Sequence, residues 1–128
     1  MVLDSSAVIA VVFREEQHER LEEAMAVTAS LSIGAPTLFE TAMVAIRLHE
    51  EHGHELVVHF LDERGVEVTP FEERHLKVAT DAFARYGKGR HPAALNYGDC
   101  MTYASARVAS MPLLFVGGDF ACTDIAPA

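Results

Sequence analysis

An α/β fold on a short, mostly parallel central sheet is predicted by three observations. Apolar runs of about four residues recur at the beginning, middle and end of the chain. Stretches of helical periodicity separate them. The runs are continuous rather than alternating, which is the pattern of strands covered on both faces.

The elements follow in order. Met1-Val2-Leu3 is a buried first strand, with Asp4 at its C-terminal end. Ser5 or Ser6 is expected to cap a helix that continues over residues 7–14. Residues 15–27 form a second helical stretch, with Leu21, Ala24 and Met25 on its apolar side. Residues 30–35 are a candidate strand ending at Gly34. Pro36 suits the first turn of a helix because it has no N–H to leave unpaired. That helix is expected to reach about residue 51 and to bury Phe39, Met43, Ile46 and the alanines, with Gly53 closing it. An amphipathic helix over 54–63 stops at Gly65, and β-branched 66–69 is strand-like. Residues 72–86 are helical, 88–96 are loop and 97–110 are helical again. Residues 113–116 form a hydrophobic strand, followed by a turn at Gly117-Gly118.

Length and composition bound the rest. The chain has 128 residues, enough for one hydrophobic core and too few for two ordinary domains. With no linker and no internal repeat, residues 1–128 are taken as one domain. Half of the residues are hydrophobic and 23% are charged, a globular balance. No apolar run is long enough for a membrane span, and the start has no basic region of the signal-peptide kind. The expected location is the cytoplasm. Cys100 and Cys122 read as free thiols. Ten basic against nineteen acidic residues give a net charge of −9. Such a chain is a poor unaided ligand for nucleic acid, unless a metal or a basic partner offsets the charge.

Four acids fall near the C-terminal edge of the expected sheet, where function gathers in open parallel folds. Asp4 ends the first strand and Asp119 follows the last. Asp99 opens a helix, and Glu40 sits one turn into the helix begun at Pro36. Each alone has an ordinary reading as a cap, a turn or a solvated side chain. As a set they differ, because Asp4 and Asp119 are flanked by apolar strand residues. Two carboxylates ~4 Å apart repel by about 4 kcal/mol at an effective dielectric near 20. A converging set therefore takes up protons or a cation. All-oxygen ligands without Cys or His suit Mg²⁺ or Mn²⁺, and metal-assisted phosphodiester hydrolysis is the matching chemistry.

Four segments, spanning nearly the whole chain, resemble the PIN-domain ribonucleases, and within them the VapC toxins of VapBC toxin–antitoxin pairs. The strongest is His91-Pro92-Ala93-Ala94-Leu95-Asn96-Tyr97-Gly98-Asp99-Cys100 with Tyr103-Ala104. Next is Pro112-Leu113-Leu114-Phe115-Val116-Gly117-Gly118-Asp119-Phe120 with Thr123-Asp124-Ile125. Val2-Leu3-Asp4-Ser5-Ser6-Ala7 is similar to the family's opening, and Glu40 falls at its second acidic position. The resemblance implies a three-layer α/β/α sandwich and a Mg²⁺- or Mn²⁺-dependent endoribonuclease. It implies a VapB-like antitoxin as partner, operator DNA reached only through that antitoxin, and a homodimer. By the family pattern Asp4, Asp99 and Asp119 hold metal, and Glu40 binds it through water or orients the attacking water. Ser6 matches the family's small hydroxyl residue, and Asp124 is a supporting group or a cap. Many relatives carry Asp or Asn where this chain has Gly118, so any role of that side chain is absent here.

Other readings are weaker. His49, His52, His54 and His59 have no Cys nearby and read as surface histidines rather than a zinc site. Lys88-Gly89-Arg90-His91 is the basic loop placed to meet RNA phosphate, with Arg14 and Arg85 as lesser contacts. Cys100 has no activating base and reads as a buried thiol. No serine-hydrolase elbow, Gly-rich phosphate loop or Asp-x-Asp phosphatase motif is present. A binding module that acts in a DNA-binding complex with a basic antitoxin is the alternative to a nuclease. A scaffold without catalysis ranks last, since all four acids are retained.

Overall fold

The computed structural model describes residues 1–128. Strand β1 (Val2–Leu3) leads into α1 (Ser5–Val12) and α2 (His18–Ala26). Strand β2 (Ser32–Gly34) runs directly into α3 (Ala35–Arg64), and β3 (Glu67–Thr69) precedes α4 (Glu73–Tyr86). Helix α5 (Tyr97–Ala109), β4 (Leu113–Leu114) and a 3₁₀ turn (Phe120–Cys122) complete the order. The sheet is wholly parallel, in the order β3-β2-β1-β4. Val2 stands opposite both Ser32 and Leu113. No helix is long and apolar enough to cross a membrane.

The continuous apolar runs have a simple cause. Successive strand residues point to opposite faces, so a strand covered on both sides must be apolar at every position. Leu3, Ile33 and Leu114 pack into one core with Val8, Leu21, Val57 and Leu61 from α1, α2 and α3. Val2 and Leu113 turn the other way, against Ala79, Ala82, Cys100, Tyr103 and Ala104 of α4 and α5. The result is the expected α/β/α layering. β3 is the exception, an edge strand with Glu67 and Val68 exposed. On the far edge the C-terminus pairs alongside β4: Leu113 N donates to Ala126 O at 2.9 Å, and Ala128 N to Leu113 O at 2.9 Å.

Several local expectations are corrected. Helix α1 is capped by Asp4, not by Ser5 or Ser6. The second helix begins only at His18, because Arg14 (φ 53°) and Gln17 (φ 74°) break the chain before it. The long third helix is interrupted at His49 (φ −142°) and Glu50 (φ 54°), not closed at Gly53. At this break the His49 ring stacks on Phe13, centroids 4.7 Å apart. Gly53 is buried just beyond, and a Cβ there would overlap the backbone carbonyl of Ala45. Glycine serves a close backbone approach here and caps nothing.

The apolar stripe of α3 is also on the other side. Phe39, Met43 and Ile46 are 66%, 44% and 49% exposed, while Thr37, Thr41 and Ala45 are buried. Thr37 Oγ1 and Thr102 Oγ1 share a buried hydrogen bond of 2.8 Å, and Thr41 Oγ1 donates to Thr37 O at 2.8 Å. Satisfied hydroxyls and an alanine let α3 approach its neighbours more closely than large side chains would. Ranking positions by hydrophobicity alone selects the wrong face.

Helix propensity favours Ala over Gly, yet Gly53→Ala is expected to destabilise the fold by about 1–3 kcal/mol through overpacking. The shift of the urea midpoint measures it. A midpoint at or above the wild-type value would remove the close-approach explanation.

Candidate active site

Strand order places the C-terminal ends of β1, β2 and β4 side by side, and the acids gather there. Asp4 leaves β1 as the N-cap of α1 and is buried. Its Oδ2 accepts from Ser6 N at 2.9 Å and from Ser6 Oγ at 2.5 Å. Ser6 Oγ in turn accepts from Val116 N at 3.0 Å, just past β4. Ser6 thus ties the first acid to the segment that leads to Asp119. All of these bonds to Asp4 go to Oδ2, so Oδ1 is available to a ligand.

Asp99 is held by a reciprocal cap at the start of α5. Asn96 N donates to Asp99 Oδ2 at 2.8 Å, and Asp99 N donates to Asn96 Oδ1 at 3.0 Å. Such a box satisfies two helix-end donors and fixes the orientation of the acid. Glu40, half-buried on α3, lies against Gly98 of α5: a Cβ built on Gly98 would stand 2.6 Å from each of its carboxylate oxygens. The Thr37–Thr102 bond fastens the same two helices one turn away, since Thr37 precedes Glu40 by three residues and Thr102 follows Asp99 by three.

The charges act on one another. Burial, then the Asp4 and Asp99 carboxylates, push the Glu40 carboxyl above the usual carboxylate range. Burial is also the main cause that raises Asp99; Asp4 and Asp119 add to it, and the Asn96 N–H opposes it. None of the molecule's ion pairs involves these four acids. Asp119 itself is exposed, on the turn where Gly117 adopts φ 105°, and its side chain makes no capping bond. The donor set is all oxygen, strongly negative and without a neutralising base, which fits a hard divalent cation. No three acidic, His or Cys side chains stand close enough together to hold a metal ion in this arrangement. The donor chemistry of a metal site is therefore present, without a completed cage.

The remaining candidates are placed as follows. Arg14, Lys88 and Arg90 are exposed and have no carboxylate partner. Arg90 lies over the Phe83 ring at 5.9 Å. His91 is tied into its own turn, Nδ1 accepting from Ala93 N at 3.1 Å, with its ring edge on Tyr86. Asp124 is not among the groups acting on Glu40 or Asp99. It accepts from Tyr103 Oη at 2.5 Å and from Arg85 Nη2 at 3.3 Å, fastening the C-terminal segment to α5 and α4. Arg85, engaged there, is a poorer phosphate contact than the basic loop. The histidines 49, 52, 54 and 59 form no metal cluster: His49 stacks on Phe13, and His52 and His59 pair with Glu55 and Glu63. Burial, and then Asp99, push the Cys100 thiol up to about 11, the opposite of an activated nucleophile.

Sequence reading passed over three contributors: Asn96, the Thr37–Thr102 pair and Gly98. Asn three residues before an acid is a recognisable cap signal. The threonine pair carries no sequence signal, because its members are 65 positions apart.

Residues 1–125 match the family model described as PIN domain. The chain belongs to the PIN-domain family. Ribonuclease VapC36 of Mycobacterium tuberculosis is 43% identical over 126 residues, which cover 98% of this chain and 91% of that one. Among solved structures, VapC20 of M. tuberculosis, described as a sarcin–ricin-loop-cleaving toxin, superposes with a TM-score of 0.77 at 17% identity, covering 99% and 97% of the two chains. VapBC2 of Rickettsia felis, solved bound to a DNA fragment from its promoter, gives 0.73 at 12%, covering 99% and 96%. At those identities the structures speak for the fold, and they agree with the parallel sheet and its helical layers. Within this PIN domain, Asp4, Glu40, Asp99 and Asp119 all lie at the edge of the sheet that the topology leaves open.

The raised Glu40 carboxyl has a consequence for stability. The folded chain holds this proton more tightly than the unfolded chain does. Stability from this group therefore falls as pH rises from the ordinary carboxylate range through the raised value, and stays low above it. In chelator, Glu40→Gln is expected to melt above wild type at neutral pH, and the difference to vanish at pH values where both Glu40 forms are protonated. A pH series of melting curves for the two proteins measures it; an advantage that grows toward low pH would overturn the assignment. Ser6→Ala, which removes one bond to Asp4 and one to Val116, is expected to cost about 1–3 kcal/mol by denaturant unfolding.

Proposed function

We propose that this protein is the toxin of a type II toxin–antitoxin pair, a Mg²⁺- or Mn²⁺-dependent endoribonuclease inhibited by a VapB-like antitoxin. The observation that carries the reading is the gathering of four acids with no cationic side chain among them: Asp4 and Asp99 act on Glu40, and Asp4 and Asp119 act on Asp99. The VapC ribonucleases to which the chain is similar supply the substrate class.

Asp4, Asp99 and Asp119 are the residues that would hold the metal. When bound, a divalent ion supplies Lewis-acid polarisation of the phosphoryl oxygen and lowers the pKa of a coordinated water. Asp4 offers Oδ1, because Ser6 occupies Oδ2. Asp99 is oriented by the Asn96 cap and cannot turn away without breaking it. Glu40 orients the attacking water or accepts its proton, a role that suits a carboxyl with raised proton affinity. Lys88 and Arg90, exposed and unpaired, are the phosphate contacts this reading favours, with Arg14 and His91 behind them.

The partners follow from the surface. A net charge of −9 favours a cationic antitoxin segment and opposes tight binding to DNA without it. The exposed row of Phe39, Met43 and Ile46 on α3 offers apolar area for an antitoxin or for a homodimer contact. The same surface supports the second reading, an antitoxin-binding module of a DNA-binding complex with little or no nuclease activity.

Cleavage of a pool of structured cellular RNAs by antitoxin-free protein separates the two. Discrete cuts with 5′-phosphate and 3′-hydroxyl ends are expected with Mg²⁺ or Mn²⁺ and none in chelator. Asp99→Asn keeps an acceptor for the Asn96 cap, so it is expected to fold normally and to lose about 100-fold or more in rate. Wild-type cleavage by that variant would sink the role of Asp99. Cyclic-phosphate ends would replace the metal-assisted mechanism, and intact RNA with no metal binding would leave the binding module.

A further inference from the structure

Gly98 occupies the first turn of α5, between the capping residue Asn96 and Asp99. Its backbone does not need glycine, since Gly98 is absent from the positions of positive φ, which include Gly65, Gly89 and Gly117. Helix propensity disfavours glycine there. The space at its Cα is a different matter. A Cβ at 98 would lie 2.6 Å from Glu40 Oε1, 2.6 Å from Oε2 and 2.8 Å from Cδ. All three neighbours are the carboxyl group of one side chain, and no backbone atom is among them.

We propose that Gly98 is a positioning residue of the acid cluster: the missing side chain is what lets the Glu40 carboxylate rest against α5 beside Asp99. The inference builds on the reading of Glu40 as part of a nuclease site. A methyl group at 98 meets the movable end of a flexible side chain, so the carboxylate is displaced while the helices stay in place. α3 and α5 are held independently by the Thr37–Thr102 bond. Room for Glu40 and room for a β-carbon at 98 are therefore mutually exclusive. This gives a physical reason for a glycine immediately before the acid.

The test is a double-mutant cycle of G98A, E40D and G98A/E40D. E40D shortens the acid by one methylene and withdraws it from position 98. Three quantities are read: melting temperature in chelator, Mn²⁺ affinity by calorimetry, and kcat/KM on a cleaved RNA. G98A is expected to melt at or above the wild-type temperature while losing on the order of 10-fold or more in Mn²⁺ affinity and kcat/KM. In the E40D background the same change is expected to cost less than about 3-fold. Equal losses in both backgrounds, or no loss in either, overturn the proposal. If G98A unfolds, the proposal requires G98A/E40D to recover the fold, and failure to do so also overturns it. A crystal structure of G98A keeps the question separate from function. A Glu40 carboxylate withdrawn from position 98 supports the inference even if the wild-type protein neither binds Mn²⁺ nor cuts RNA, and an unmoved one refutes it.

Discussion

Carboxylates drawn together at the C-terminal ends of the strands repel one another, and much of the local architecture holds that arrangement in place. Nothing in the cluster neutralises the charge: the ion pairs of the molecule lie elsewhere, on Glu22, Glu55, Glu63, Glu72 and Asp124. Left to themselves, the acids would separate or take up protons. Two of them, Asp4 and Asp99, are fixed by hydrogen bonds at the starts of α1 and α5. Asp4 is held by Ser6, and Ser6 by the backbone after β4. Asp99 is held by Asn96. Glu40 has no such bond and is placed by the approach of α3 to α5.

That approach depends on small and hydroxyl side chains. Thr37, Thr41 and Ala45 line the inner face of α3, and Thr102, Ala104, Ser105 and Ala106 are buried on α5. Each buried hydroxyl has a partner, and no buried side-chain polar atom of the molecule is left unsatisfied. A leucine or phenylalanine at these positions would bury more apolar area but would separate the helices. The acid cluster and the close packing of α3 on α5 are thus two aspects of one choice. The consequence appears on the outer face, where Phe39, Met43 and Ile46 stand in solvent.

Much of the fold was legible because its signals are local. The strand at residues 1–3, the helices at 73–86 and 97–109 and the hydrophobic β4 all show in composition and periodicity. The four acids were legible for the same reason, since Asp4 and Asp119 follow strands and Glu40 and Asp99 lie in the opening turns of helices. What misled was the reliance on size and on habitual roles. Gly53 looks like a helix stop but is a packing contact, and the break lies at His49 and Glu50, where no glycine or proline marks it. Ser5 and Ser6 look like caps, whereas Asp4 caps and Ser6 supports it. Asp124 reads as a supporting group or a cap but belongs to the Tyr103–Arg85 anchor.

By itself the sequence determined the class of fold, the order of its elements and which acids stand at the open edge of the sheet. Those depend on the chain's own periodicity and on interactions between near neighbours. The tertiary structure decided which face of α3 is inside, that Glu40 touches α5, and that Ser6 reaches Val116. These are contacts between residues far apart in the chain, 110 positions apart for Ser6 and Val116. No local pattern encodes them, because the energies that select them arise only when the layers close.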